Sequence, residues 1–223
     1  MQSPDIEDVK LMRLNIFLLN MTMIWRFIKY PISLILFGTI FSGCFQSDYT
    51  KLVKAELAKG VRMDSILLGM HFGDTRNEFN GKCFDLNKMH IASQGEGFSV
   101  QYLFTDSLVH QEPTAIKLLF VPAFDDKEIL TNMDLKFSYV GWAPWNKKFQ
   151  SDSLKIKLMK LLMQWYGGNE FITAKIQDVQ VPVKLDGNRR ILIYIHDAQS
   201  VVVRVQDILH PKFRHSISAD QKQ

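Results

Sequence analysis

The stretch SDSLKIKLMKLLMQWYGG, residues 151–168, decides the fold of this 223-residue chain. Leu154, Leu158, Leu161, Leu162 and Trp165 fall at i, i+4, i+7, i+8 and i+11, which is one face of an α-helix. Lys157, Lys160 and Gln164 lie on another side. Ser151 and Asp152 offer N-caps, and Gly167-Gly168 stops the helix. Everything near it reads as strand. Upstream, Phe98–Thr105, Ala115–Val121 and Glu128–Val140 form three strand-like runs. Asp125-Asp126-Lys127 is a hairpin turn between the last two, and Leu135, Phe137 and Tyr139 alternate with Lys136 and Ser138. Downstream, Phe171–Ile176, Val179–Leu185, Arg190–His196 and Ser200–Gln206 read as four more. Pro182 suggests an edge strand, and Asp186-Gly187 is a hairpin turn signal.

Two helices come before the first strands. Thr50–Lys59 is short and stopped by Gly60, a stalk or a first packing helix. Thr75-x-x-Glu78 fits a capping box, and Phe79, Cys83 and Leu86 give the helix that follows one apolar face to about Asn87. The order is helix, helix, three strands, helix, four strands. Helices segregated from antiparallel strands mean an α+β fold, helices packed on an antiparallel meander sheet, in two helix-plus-meander halves, 61–146 and 147–210. Residues 211–223 are polar and read as a frayed, disordered tail.

The N-terminal part has a different character. Arg26 and Lys29 precede an apolar run, Ile32–Phe41, of the length of a signal-peptide core. A membrane-spanning helix needs about 20 apolar residues, and that length would draw in Pro31, Lys29 and Arg26. The run closes on Phe41-Ser42-Gly43-Cys44, which resembles the lipobox of bacterial lipoproteins, with Phe41 in place of the usual Leu. The resemblance implies a signal peptide over 1–43, cleavage before Cys44, acylation of Cys44 and an anchor-and-stalk segment at 44–60. Residues 1–22 fit poorly, with Asp5, Glu7 and Asp8 and a second apolar patch. Either the natural start is Met21 or Met23, or the basic region is unusually long.

Without residues 1–43 the chain keeps 180 residues and loses Lys10, Arg13, Arg26 and Lys29 against Asp5, Glu7 and Asp8, so its formal charge falls from +4 to +3. So mild an excess, with no Lys/Arg stripe, argues against nucleic acid as the default partner. A hydrophobic content of 47% suffices for a core. The two cysteines are Cys44 and Cys83. With Cys44 acylated, Cys83 has no intramolecular partner, and burial on a helix face is the commoner fate of such a thiol.

Three family resemblances go beyond the lipobox. Leu68-Gly69-Met70, the helix through Phe79 and the stretch Phe120–Leu130 around the acidic turn resemble the small outer-membrane assembly lipoproteins of the SmpA/OmlA kind. The repeated helix-plus-meander layout resembles the β-lactamase-inhibitor-protein architecture. WAPWN (142–146) and DGNRR (186–190) resemble uncharacterised bacterial lipoproteins. Together they imply a cell-envelope protein, at the outer membrane, with an envelope protein as partner. They imply no activity.

No catalytic or metal motif stands out. His71, His90, His110, His196, His210 and His215 lack metal-ligand spacing, no G-x-S-x-G is present, and Gly95-Glu96-Gly97 lacks the helix and lysine of a phosphate loop. Asp125-Asp126 reads as a solvated turn. No catalytic residue, metal ligand or cofactor is therefore assigned. The candidate partner-binding residues are Trp142, Trp145 and Tyr139, two indoles across an Ala-Pro turn and a neighbouring phenol. Core plugging is their other reading. Arg189-Arg190 either binds an acidic group or sits on a solvated hairpin. The expectation is a non-enzymatic interaction or assembly module, with an envelope inhibitor or a glycan- or peptide-binding protein as the alternative. A tethered hydrolase would need His, Asp or Ser groups converging in a pocket.

Overall fold

The computed structural model describes residues 48–104, 115–176 and 179–213. The expected signal peptide (1–43) and Cys44 lie outside them, as do residues 105–114 with His110 and residues 214–223 with His215. The described residues belong to one compact unit, Gln46–Gln223. In chain order they form α1 (Asp48–Ala58), α2 (Arg76–Lys88), β1 (Ala92–Gln94), β2 (Val100–Phe104), β3 (Ile116–Phe124), β4 (Leu130–Tyr139), a 3-10 turn (Lys147–Phe149), α3 (Ser151–Tyr166), β5 (Ile172–Ile176), β6 (Val179–Asp186), β7 (Arg189–Ile195) and β8 (Ser200–Asp207). The fold is α+β, with helices on an antiparallel meander sheet.

All eight strands enter one sheet, in the order β1-β2-β3-β4-β8-β7-β6-β5. Each set of four is a meander, and the two join where β4 pairs antiparallel with β8. Residues opposite each other across strands share a face. The row Val100, Phe120, Leu135, Val203, Ile193 crosses five strands and lies in the larger core beneath α2 and α3. The next row, Val121, Asp134, Arg204, Leu192, Val183, Ile172, points the other way. Its Leu192 and Val183 form a second core with Tyr49 and Val53 of α1. So α1 is a packing helix against β5 and β6.

The helix at 151–166 buries Leu154, Leu158, Leu161 and Leu162 as its period requires. Each such leucine contributes about 2 kcal/mol relative to an exposed one. The Thr75–Glu78 capping box forms: Glu78 N–H donates to Thr75 Oγ1 at 3.2 Å and Thr75 N–H donates back to Glu78 Oε2 at 2.7 Å. Gly167, at φ +57, ends α3, and its N–H donates to the Met163 carbonyl.

Four expectations are corrected. The first meander has four strands, because Ala92–Gln94 pairs with Val100–Tyr102. The N-cap of α3 is Gln150, which makes no side-chain cap bond, so neither Ser151 nor Asp152 caps the helix. Pro182 sits in β6, which is not an edge strand. It is tolerated because the β6–β7 pairing covers only Val183–Asp186, leaving Pro182 paired with Thr173 of β5 alone. The tail is anchored at its start, where Phe213 is buried.

Several carboxylates carry a pH consequence. Burial alone would raise the Glu56 carboxyl, but hydrogen bonds from Lys59, the Gly187 N–H and Asn169 outweigh it and hold it below the usual range. At Asp64, burial is likewise outweighed by hydrogen bonds from Arg62 and Asn188 and by the charge of Arg62. Both therefore bind fewer protons folded than unfolded. Their stabilisation is fully present above pH ~4.5 and is lost as pH falls through the depressed folded values. Thermal melts from pH 7 to pH 3 should show the midpoint dropping only below about pH 4.5. A flat profile to pH 3 would contradict the assignment.

Candidate functional site

The residues nominated from the sequence do not form one cluster. Tyr139 is buried and packs on Phe149, ring centroids 5.1 Å apart. Trp142 is half-buried against the larger core, with Nε1–H donating to Gln150 Oε1 at 3.3 Å. Trp145 alone projects, 84% exposed. The organiser of the turn is Gln150, whose Nε2 donates to the carbonyls of Ala143, Pro144 and Asn146 at 3.0, 3.3 and 3.1 Å. Gln150 stands several residues beyond the motif, so nothing local in WAPWN advertised it.

The larger departure is at Lys184–Arg190. The Asp186-Gly187 turn forms as expected, with Asp186 opposite Arg189 and Gly187 at φ +55. It is not a solvated hairpin. Residues 183–190 are all buried, Lys184 completely. Segment 61–65 lies over the turn so closely that a Cβ on Gly187 would strike the Val61 carbonyl. The hairpin ties distant parts together. Gly187 N–H donates to Glu56 Oε2 of α1 at 3.0 Å. Asn188 Oδ1 accepts from Met63 N–H at 2.6 Å, and its Nδ2 donates to Asp64 and Asp207. Arg190 donates to Gln206 Oε1 and to the Tyr49 hydroxyl. Lys184 Nζ donates to the carbonyls of Gly167 and Asn169 and lies 2.8 Å from Asp186 Oδ2. Asp186 Oδ1 accepts from Asn169 N–H at 2.8 Å.

Arg189 connects this hub to a cleft of about 500 Å³. The cleft lies between the segment 63–68, Tyr102 and Phe104 of β2, and Leu161, Trp165 and Tyr166 at the end of α3. The Arg189 guanidinium stands 4.1 Å from the Tyr166 ring centroid. Its Nη1 donates to the Ser65 carbonyl at 3.0 Å, and its Nη2 lies 3.6 Å from Asp186 Oδ2. Its Nε has no hydrogen-bond acceptor. Asp186 is shared between two cations, so the buried group Lys184, Asp186, Arg189 keeps one excess positive charge. Phe104 and Trp165 stack at 5.4 Å to make one wall, and Tyr166 donates its hydroxyl to the Ile66 carbonyl. Burial pushes the Tyr166 phenol up to about 12, against the lowering effect of Arg189.

An aromatic-walled cleft of this size with one fixed cation suits an apolar group carrying an acid. The titratable residues lining it are Tyr102, Tyr166 and Arg189. A second depression, of about 810 Å³, lies between the α2–β1 turn and β2. Among the described residues no group of three His, Cys, Asp or Glu side chains is placed to hold a metal ion. His210 Nε2 lies 3.3 Å from Asp125 Oδ2, so Asp125 joins the 125–128 turn to residue 210. It also accepts from the Lys127 and Ile129 N–H groups.

Cys83 is half-buried against the larger core, and burial pushes its thiol up to about 11. Since the thiolate is the nucleophile, its alkylation by iodoacetamide at pH 7.5 should run about 100-fold slower than that of an unperturbed cysteine. A rate equal to that of free thiol would mean that the α2 face is open.

Neither a family model, nor a curated protein, nor a solved structure matches this chain.

Proposed function

We propose that this chain is a lipid-anchored cell-envelope protein that works by binding, a non-enzymatic interaction or assembly module tethered through Cys44. The observation that carries the binding role is the Arg189 cleft: aromatic walls, one buried cation with an unpartnered Nε, and supports drawn from four separate parts of the chain. Such a site presents shape and charge without needing to order itself on binding. The fitting partner is an apolar segment ending in, or bearing, a carboxylate.

The anchor follows from the Phe41-Ser42-Gly43-Cys44 resemblance. Its reach is short. Three residues, Phe45 to Ser47, separate Cys44 from the start of α1 at Asp48, so the four steps of chain reach at most about 14 Å when extended. An acylated Cys44 would keep the folded unit beside the bilayer and its partner among envelope proteins. A photo-crosslinking residue at Met63, which lines the cleft and is partly exposed, tests the reading in intact envelopes. The expected product is a defined envelope protein or peptide, lost when Tyr102 is changed to Ala. Absence of any crosslink from Met63, with the protein present and folded, would refute the binding role.

The alternative, an envelope inhibitor or a glycan- or peptide-binding protein, uses the same cleft. The identity of the crosslinked species decides between the two.

A further inference from the structure

We infer that the outer face of α3, together with the turn carrying Trp145, is a docking surface for an anionic lipid bilayer. The inference rests on three observations that the cleft does not use.

The first is the pattern on α3. A helix covering a core is expected to be polar outside. At about 100° per residue, the line opposite Leu154, Leu158 and Trp165 runs through Ile156 and Met163, flanked by Lys160 on one side and, in the first turn, by Asp152 on the other. Ile156 is 61% exposed, and Met159 and Met163 are partly exposed. Lys155 and Lys157 stand on the two shoulders of that line. An apolar centre line with lysines on both sides is the pattern of a helix lying in a membrane interface.

The second is charge. Residues 145–160 hold Lys147, Lys148, Lys155, Lys157 and Lys160 against Asp152, a net +4, equal to the formal charge of the whole chain. Along the sequence these lysines are split between a loop and a helix, which is why no stripe stood out. Ser153 Oγ donates to the Lys147 carbonyl at 3.4 Å and joins the 3-10 turn to the first turn of α3. Among the described residues, Lys147, Lys148, Lys155 and Lys160 form no ion pair.

The third is Trp145. Its turn is braced by the Gln150 amide, which puts an exposed indole next to two exposed lysines. Tryptophan beside lysine is the side-chain pair favoured at the headgroup level of a bilayer. The surface is convex helix and turn, not a groove. Its cations are lysines with no arginine, suited to diffuse headgroup charge more than to bidentate recognition. Both features favour a lipid surface over an acidic protein. The inference stands whether or not Cys44 is acylated.

The test places the full chain in vesicles of phosphatidylcholine alone or with 30% phosphatidylglycerol, each containing brominated lipid. The emission of Trp145 is taken as the difference between the wild type and Trp145→Phe. In the anionic vesicles it should be quenched, and in neutral vesicles it should not. Lys147→Gln/Lys148→Gln/Lys160→Gln should lower the docking equilibrium constant about 100-fold, and raising NaCl from 50 to 500 mM should release the indole. Trp145 emission that ignores the lipid, is quenched equally in both vesicles, or is shielded only by an added acidic protein would overturn the inference. Because the readout is the depth of Trp145, a failure here is distinct from a failure to find acyl chains on Cys44 or a crosslink from Met63.

Discussion

Asp186→Ala should destabilise the protein by about 3–5 kcal/mol in urea unfolding. The carboxylate is 6% exposed and is the counter-ion of both Lys184 and Arg189, themselves 0% and 5% exposed. It also accepts the Asn169 N–H, which fixes the turn after α3. Truncation leaves two buried cations without a carboxylate, and that uncompensated charge dominates the loss. The size of the effect separates this reading from a solvated hairpin, where the same change would cost less than about 0.5 kcal/mol. Two companions sharpen it. Asp186→Asn keeps an acceptor for Asn169 and should lose less than Asp186→Ala. Adding Lys184→Met to Asp186→Ala removes one stranded cation and should recover part of the loss, so the two positions should be non-additive. A loss below about 1 kcal/mol for Asp186→Ala would show that the hub does not hold the fold.

Phe137→Ala should be comparably severe, about 3–5 kcal/mol, for the opposite reason. Phe137 is fully buried in β4, in the larger core, and makes no polar contact. Its ring stacks on Phe104 at 6.0 Å, and Phe104 stacks in turn on Trp165, the wall of the cleft. The cavity left by truncation removes both transfer energy and the contacts that hold Phe104 in place. For a domain of this size the thermal midpoint should fall by about 10 °C. Binding at the cleft should weaken as well, although Phe137 does not line it. Trp145→Ala is the contrast: its 84% exposure predicts a change within about 0.5 kcal/mol.

Much of the fold was legible because it is local. The 3.6-residue period of Leu154 to Trp165, the Thr75–Glu78 box and the Asp186-Gly187 turn each depend on residues within a dozen positions of one another. What escaped is what depends on distance along the chain. β1 has three residues and one buried side chain, too few to generate a period. The burial of Arg189, Arg190 and the Gly187 turn was illegible because their partners, Ser65, Tyr49 and Glu56, stand more than 120 residues upstream. The same separation hid the cleft. Arg189 was visible as half of an arginine pair, but nothing in DGNRR said which arginine turns toward Tyr166 and which toward Tyr49. The aromatic trio 139, 142 and 145 failed as a unit for a simpler reason. The chain turns sharply at Gly141–Asn146, so the three rings take up buried, half-buried and exposed positions in succession.

A tethered binding protein stands or falls on its tether. Intact-mass analysis of the N-terminal peptide of the protein isolated from envelopes measures it directly. The account predicts a chain beginning at Cys44 and carrying the added mass of a diacylglyceryl group. A chain in which residue 44 is an internal cysteine with a free thiol would contradict it.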